Sequence, residues 1–214
     1  MDHKSVGGAG ARVPPEPTGA AGTEPKAAIA IPKTPIRLYY MRHGETAWSL
    51  SGQNTGSTDL PLTARGEGEA RELGTRVRNV PFARVLTSPR RRARQTCELA
   101  GLGQAAEVEP DLAEWDYGDY EALRSADIRE AHPGWDIYRD GCPHGESPER
   151  ISERADRLIA RLRTLEGNIA LFSHGQFGAA FAVRWTRSAG WTSAGSSSRP
   201  TPHQEVSAVI PRTM

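Results

Sequence analysis

Two patterns of apolar residues alternate along this chain. Short continuous apolar runs predict β-strands over 36–41, 85–87, 106–109 and 168–173. Apolar residues at helical spacing predict helices over 63–80, 88–100, 125–132, 147–166 and 176–185. We assign N-caps to Thr63, Ser88 and Ser147, and Gly101 and Gly167 are expected to end the helices before them. Strands that alternate with helices are typical of an open α/β sheet.

Both ends of the chain lack these apolar patterns. Residues 1–35 are rich in Gly, Pro and Ala and predict a disordered tail, with a tethering or targeting role as the alternative to a plain flexible segment. Residues 186–214 predict an irregular tail with at most one weak strand near 205–210. Two explanations stay open for this tail: a reading frame altered near Trp185, or an ordinary flexible extension after a shortened core. The domain predicted between the tails spans 36–185.

The composition narrows the function classes. The 214 residues suffice for one domain with a substantial core, and the formal charge of +1 favours neither nucleic acid nor a membrane surface as a partner. Cys97 and Cys142 are too few for a disulfide framework and lack metal-ligand spacing, so we expect no metal or other cofactor. Because no apolar run reaches membrane-spanning length and no signal-peptide core is present, we expect a cytoplasmic protein.

Two of the predicted strands run directly into a His-Gly pair. His43 follows Arg42 at the end of the first strand, and His174 follows the strand over 168–173. In an open α/β sheet, ligands bind just beyond the carboxyl ends of the strands. A neutral imidazole can attack phosphorus, and a guanidinium fork matches a phosphoryl group. One such histidine is more often structural, but two on matching strand ends favour a shared pocket.

A run of arginines opens the helix after the second strand, formed by Arg90, Arg91, Arg92 and Arg94. The run is compatible with a nucleic-acid patch, with a solvated helix face or with an anion site, because the first amide groups of a helix are free to donate. The third interpretation fits the neighbouring strand ends best. It expects one arginine to face the same pocket as Arg42.

The segment 111–121 is dense in acidic and aromatic residues. A carboxyl group held beside apolar rings ionises less readily than in water and can serve as a general acid. An exposed acidic loop whose aromatic residues simply pack is the alternative. Composition alone does not choose between these two interpretations.

Four motifs follow one another along the chain: Arg42-His43-Gly44-Glu45-Thr46, the segment from Ser88 to Thr96, Glu114 before Tyr117-Gly118, and Ser173-His174-Gly175. In this order they resemble the motifs of histidine phosphatases, the phosphoglycerate-mutase-like superfamily. The segments 115–121 and 139–142 resemble most the acid-phosphatase and sedoheptulose-bisphosphatase-like branch. The resemblance covers residues 36–185 and implies an α/β fold, a three-layer αβα sandwich with a mostly parallel central sheet.

The resemblance also implies a role for each matching residue. His43 would be the nucleophile that becomes phosphohistidine, and Glu114 would be the proton donor. Many relatives have an asparagine where this chain has Ser49. The phosphoryl group would be held by Arg42, Arg92 and His174, and phosphate or substrate would be contacted by Ser49, Thr55 and Gly56.

The implied function is a metal-independent phosphatase for small phosphate monoesters, with sugar phosphates as the expected metabolites. A phosphoglycerate-type mutase and an inactive regulatory domain that retains the pocket are the alternatives. About thirty residues separate Glu114 from Gly145-Glu146-Ser147, fewer than the site-closing sequence of such mutases requires, so hydrolysis is favoured. We expect no nucleic-acid or membrane partner. The oligomeric state stays open, with a homodimer as one alternative.

Overall fold

The computed structural model describes residues 1–3, residues 34–188 and the backbone of a strand at Gln204–Val209. The tails predicted at 1–35 and 186–214 therefore lie mostly outside the described residues. The strand at Gln204–Val209 occupies nearly the positions of the weak strand expected at 205–210. Within the part of the chain that the structure describes, no helix is long and apolar enough to cross a membrane.

The described residues form strands and helices that alternate along most of the chain. The strands are β1 (Ile36–Arg42), β2 (Phe82–Thr87), β3 (Ala106–Val108), β4 (Asn168–Ser173) and β5 (Gln204–Val209). The helices are α1 (Ala47–Ser51), α2 (Ala64–Val77), α3 (Arg91–Leu99), α4 (Ser125–Ala131), α5 (Ile137–Asp140), α6 (Pro148–Leu162) and α7 (Gly175–Ser188). Short 3-10 turns lie at Gly103–Ala105, Pro110–Leu112 and Gly118–Tyr120.

The strands form one sheet in the order β3-β2-β4-β1-β5, and each neighbouring pair is parallel. Alternate residues of the central strands face two different hydrophobic cores, because successive side chains of a strand point to opposite faces. Leu38 and Leu171 belong to a core shared with α6 and α7. Met41 and Phe172 belong to a second core shared with α2 and α3. The predicted three-layer αβα sandwich is confirmed.

The register of the central strands determines which loops meet at the carboxyl edge. Arg42 of β1 lies opposite Ser173 of β4, so the residues that follow them, His43 and His174, leave the sheet at the same level. The amide of His43 donates to the carbonyl oxygen of Ser173 at 3.0 Å. Ser88 follows β2 at the same edge, and its amide donates to the carbonyl oxygen of the β4 residue Phe172 at 2.8 Å.

The start of α3 differs from the prediction. Ser88 was expected to be its N-cap, but α3 begins at Arg91, and the cap position Arg90 makes no side-chain capping bond. The physical reason is that the Ser88 hydroxyl lies 2.7 Å from Nε2 of His174 and accepts the amide of Arg90. A serine before proline is therefore used here to hold a histidine.

Other boundaries also moved. The expected helix ends at residues 80 and 166 are too late, because α2 ends at Val77 and α6 at Leu162. Tighter i to i+3 bonds follow both ends, from the amides of Val80 and Leu165. The segments 42–62 and 134–143, for which no helix was predicted, contain the short helices α1 and α5.

Two glycines let α2 approach the loop after β1 very closely. A Cβ atom placed on Gly66 would lie 2.2 Å from the carbonyl oxygen of Glu45, and one on Gly44 would lie 2.4 Å from the carbonyl oxygen of Gly66. Gly68, one half-turn further along α2, has nothing within 4 Å of such an atom. Backbone contact at Gly66 therefore fixes the loop that carries His43.

Gly66→Ala should destabilise the protein, whereas Gly68→Ala should not. Because the methyl group at position 66 has to displace the Glu45 backbone, we expect the free energy of unfolding to fall by about 1–3 kcal/mol. At position 68 the higher helix propensity of alanine should raise it by about 0.5–1 kcal/mol. Urea unfolding of both variants beside the wild type measures the difference, and equal effects would contradict the close approach.

Candidate active site

His43 is the first residue after β1, and its imidazole is held by its own neighbour. The Nδ1 atom lies 2.7 Å from the carbonyl oxygen of Gly44. Because a carbonyl oxygen only accepts, Nδ1 carries the proton and Nε2 presents a lone pair. The residue expected to be the nucleophile therefore has the tautomer that attack on phosphorus through Nε2 requires.

The surroundings of His43 keep its ring neutral. Burial, the positive charge of Arg92 and, more weakly, that of Arg42 lower the pKa of His43 from 6.5 to about 3, although the hydrogen bond to Gly44 acts in the opposite direction. Protonation would place a third positive charge in a buried region that already holds two arginines. The ring is consequently uncharged at neutral and mildly acidic pH.

His174 lies beside His43, with the two ring centroids 5.2 Å apart. The hydroxyl of Ser88 accepts the amide of Arg90, and its own hydrogen has no other acceptor among the described residues, so we assign that hydrogen to Nε2 of His174, 2.7 Å away. Nδ1 of His174 then carries the ring proton, and it has no hydrogen-bond partner among the described residues. Burial, with Arg92 and His43 adding to it, lowers the pKa of His174 well below its ordinary value. The ring is thus neutral and has one free N–H donor.

Arg92 is the buried member of the arginine run. Its relative exposure is 0%, whereas Arg91 and Arg94 are exposed. Its guanidinium donates to three carbonyl oxygens of the turn 55–58, and its Nε has no partner among the described residues. The acceptors are Thr55 at 2.7 Å, Gly56 at 3.2 Å and Thr58 at 3.0 Å.

Two of the amides at the start of α3 are already bound within the protein, contrary to expectation. The amide of Arg90 donates to the hydroxyl of Ser88 at 3.2 Å, and that of Arg91 donates to a carboxylate oxygen of Asp59 at 2.6 Å. Because protein oxygen atoms already accept both groups, the expectation that they bind an anion is wrong. The arginine side chains remain as donors from this helix.

Glu114 is held at the start of α7. Its Oε1 accepts the amides of Trp115 at 2.9 Å and Phe177 at 2.7 Å, and its Oε2 accepts the amide of Gln176 at 3.1 Å. Oε2 therefore retains a second lone pair, where a proton can be carried. Glu114 is buried and lines the same cleft as His43.

A cleft of about 400 Å³ brings most of the expected site residues together. Arg42, His43 and Glu114 line it, as do Ser49 and Thr55. The hydroxyl of Ser49 is already engaged at the start of α1, where it donates to the Thr46 carbonyl at 3.1 Å and accepts the Thr46 amide at 2.8 Å.

Three expected site residues are not part of this lining. Arg92 and His174 are fully buried, although Arg92 is close enough for its charge to act on both histidine rings. Gly56 supports Arg92 through its carbonyl oxygen, and a Cβ atom there would lie 2.4 Å from the carbonyl oxygen of Trp115. The structure therefore separates a cleft-facing group of residues from a buried group behind it.

Sequence reasoning missed part of the lining. Gln176 directly follows the second His-Gly pair and Asn54 directly precedes Thr55, so adjacency to expected site residues was an available signal. Ser125 comes from α4, and no local pattern marks it. The missed lining residues are Gly52, Gln53, Asn54, Tyr117, Ser125, Gly175 and Gln176.

Arg154 was also missed, because its role depends on contacts across the fold. Its guanidinium forms a two-pronged ion pair with Glu146, at 2.8 Å and 2.7 Å. It also donates to three backbone carbonyl oxygens in the segment that ends at Glu114, namely those of Asp111, Ala113 and Glu114. These hydrogen bonds from Arg154 thus fix the backbone from which the Glu114 carboxyl group projects.

Sequence comparison shows which known proteins this chain resembles. Residues 38–196 match the sequence model of the histidine phosphatase superfamily (branch 1). The chain is similar to an acid phosphatase of Mycobacterium tuberculosis, with 43% identity over 155 residues that cover 71% of this chain and 76% of that protein. It is 40% identical over 187 residues to sedoheptulose 1,7-bisphosphatase of Saccharomyces cerevisiae, which covers 72% of this chain and 69% of that protein.

The fold also matches a solved structure. The product of an open reading frame from Mycobacterium tuberculosis superposes with a TM-score of 0.67 at 40% sequence identity. The match covers 70% of this chain and 79% of that chain.

The neutral state of buried His43 predicts a loss of stability in acid. The lowered pKa of about 3 keeps the folded ring neutral, whereas in the unfolded chain it takes up a proton near 6.5. Because the unfolded state then binds more protons, the free energy of unfolding should fall as the pH drops from 6.5 towards 3. His43→Gln should remove about 2 kcal/mol of the difference between pH 7 and pH 5. Urea unfolding in phosphate-free buffer measures this, and an unchanged difference would contradict the neutral buried ring.

Proposed function

Because this chain belongs to branch 1 of the histidine phosphatase superfamily and is a phosphoric monoester hydrolase, we propose that it hydrolyses small phosphate monoesters through a phosphohistidine at His43. The observation that carries the proposal is the tautomer of His43, whose neutral Nε2 presents its lone pair beside Arg42 and Arg92. A nucleophile and the charges that stabilise its target are thereby combined at one strand end.

In the first half of the reaction, Nε2 of His43 attacks phosphorus. The P–N bond forms while the P–O bond to the leaving group breaks, and the proton carried by Glu114 passes to the leaving oxygen. Arg42, Arg92 and the free N–H of His174 stabilise the equatorial oxygens, which carry the negative charge of the transition state. In this scheme the positive charge comes from side chains, and no metal ion or other cofactor takes part.

In the second half, water replaces the leaving group. The carboxylate of Glu114 takes a proton from the water as its oxygen attacks phosphorus, and the P–N bond breaks to release inorganic phosphate and neutral His43. The same carboxyl group therefore donates a proton first and accepts one afterwards. Its Oε2 suits this exchange because a single amide, that of Gln176, is bound there.

The proposal extends to small sugar phosphates as the substrate class. Beyond the charged groups, the cleft is lined mainly by neutral polar side chains, which can exchange hydrogen bonds with hydroxyl groups. The relative from Saccharomyces cerevisiae is named for a sugar bisphosphate. The partner of this site is then a small phosphorylated metabolite rather than a nucleic acid or a membrane. The neutral polar residues are Ser49, Gln53, Asn54, Thr55, Ser125 and Gln176.

Hydrolysis of 4-nitrophenyl phosphate should proceed at the same rate with and without EDTA. Brief incubation with labelled substrate should leave acid-labile, alkali-stable phosphate on the protein, because phosphohistidine has this stability. His43→Ala should take up no label and lose at least about 1,000-fold in turnover. A requirement for added divalent metal, or labelling of His43→Ala, would overturn the mechanism.

Glu114→Gln should slow substrates with poor leaving groups most. An alkyl phosphate needs its leaving oxygen protonated, so we expect a loss of about 100-fold or more in kcat/KM, against about 10-fold or less for 4-nitrophenyl phosphate. Steady-state kinetics on a series of phosphate esters with graded leaving-group acidity measures the trend. Equal losses across the series would show that Glu114 does not protonate the leaving group.

A further inference from the structure

Glu121 holds the turn 55–58 by its amide groups. Its carboxylate accepts the amide of Gly56 at 3.0 Å on both oxygens, and the amide of Thr58 at 3.0 Å on Oε1. Glu121 is half-buried and does not line the cleft described above. It belongs to the acidic and aromatic segment 111–121, of which the proposed reaction uses only Glu114.

Two arginines hold the same turn by its carbonyl groups. Arg92 donates to three of the carbonyl oxygens, as described above, and Arg90 donates from Nη1 to the carbonyl oxygen of Ser57 at 3.1 Å. Each of the four carbonyl oxygens in the turn therefore accepts from an arginine. The peptide groups of the turn lie between an anion and two cations, an arrangement in which each hydrogen bond polarises the next.

The turn has little freedom to move within this arrangement. A Cβ atom on Gly56 would lie 2.4 Å from the carbonyl oxygen of Trp115 and 2.9 Å from Oε2 of Glu121. The glycine therefore lets the turn press against the segment that carries both Glu114 and Glu121. A shift of the turn away from Glu121 would also move the carbonyl oxygens to which Arg92 is bound.

We propose that Glu121 is a positioning residue, which holds the turn 55–58 and through it orients the guanidinium of Arg92 towards the phosphoryl group. The inference rests on the proposed function, in which Arg92 stabilises the phosphoryl oxygens. Three of the five N–H groups of Arg92 are bound in this way. The N–H on Nε is one of those left over, since it is buried and has no partner among the described residues. The three carbonyl bonds set the direction in which this N–H points.

Glu121→Gln tests the inference while changing the shape of the side chain little. The substitution replaces one carboxylate oxygen with an NH₂ group, which cannot accept an amide hydrogen from Gly56. We expect kcat/KM for 4-nitrophenyl phosphate to fall about 10- to 100-fold. Inhibition by orthovanadate, which resembles the phosphoryl group in the transition state, should weaken by a similar factor.

A double-mutant cycle with Arg92→Lys distinguishes positioning from a general structural role. If Glu121 acts through Arg92, adding Glu121→Gln to the Arg92→Lys variant should reduce kcat/KM by less than about 3-fold. Losses that multiply independently would overturn the inference. Full activity of Arg92→Lys and Arg92→Ala alone would instead contradict the proposed function, so the two failures are distinguishable.

Glu109→Gln is a matched control for loss of stability. Glu109 is a buried glutamate whose carboxylate accepts the amide of Asp111 at 3.1 Å and pairs with Arg161. The Glu109→Gln substitution should lower the melting temperature without a parallel loss of vanadate affinity. If Glu121→Gln does not fold, Glu121→Asp replaces it in the cycle, because its shorter carboxylate still accepts amides but from a displaced position. Equal vanadate affinity of the Glu121 variant and the wild type would overturn the inference.

Discussion

The hydrogen bond between Nδ1 of His43 and the carbonyl oxygen of Gly44 is the interaction on which the chemistry of this site depends, because it decides which ring nitrogen is free. A single backbone carbonyl can do this only if its peptide is held still. The Gly44 amide donates to the Thr96 hydroxyl of α3 at 3.1 Å, and the carbonyl of Gly66 in α2 allows no side chain at position 44. The tautomer of His43 is thus fixed by the packing of two helices against one loop.

The positive charge of Arg92 near His43 is not neutralised by the groups that bind its guanidinium. Arg92 binds backbone carbonyl oxygens, which accept three of its five N–H groups without neutralising its charge. Arg154 differs, since it forms a two-pronged ion pair with Glu146. The first arrangement leaves a positive field where a phosphoryl group would bind, and that field also contributes to the lowered pKa of His43. The uncompensated charge of Arg92 therefore favours both the binding of an anion and the neutrality of His43.

The parts of this site that could be predicted are those encoded by short stretches of sequence. His43 and His174 each follow an apolar strand, and parallel pairing in register places them side by side. Arg92 was selected from its run only by resemblance to a family, and its burial agrees with that choice. Ser88 and Glu121 act on residues far away along the chain, at His174 and Gly56, and no local pattern reveals such contacts.

The two helices nearest the site use their first amides on the protein itself. The amides of Arg90 and Arg91, at the cap and the first position of α3, bind Ser88 and Asp59, and α7 binds Glu114 through the amides of Gln176 and Phe177. Helix amides are rigid donors, whereas arginine side chains have many rotatable bonds and lose more freedom when they are held. A site that relies on arginine side chains therefore needs other residues to limit their motion. The carbonyl-rich turn 55–58, anchored from its amide side by Glu121, meets that need for Arg92.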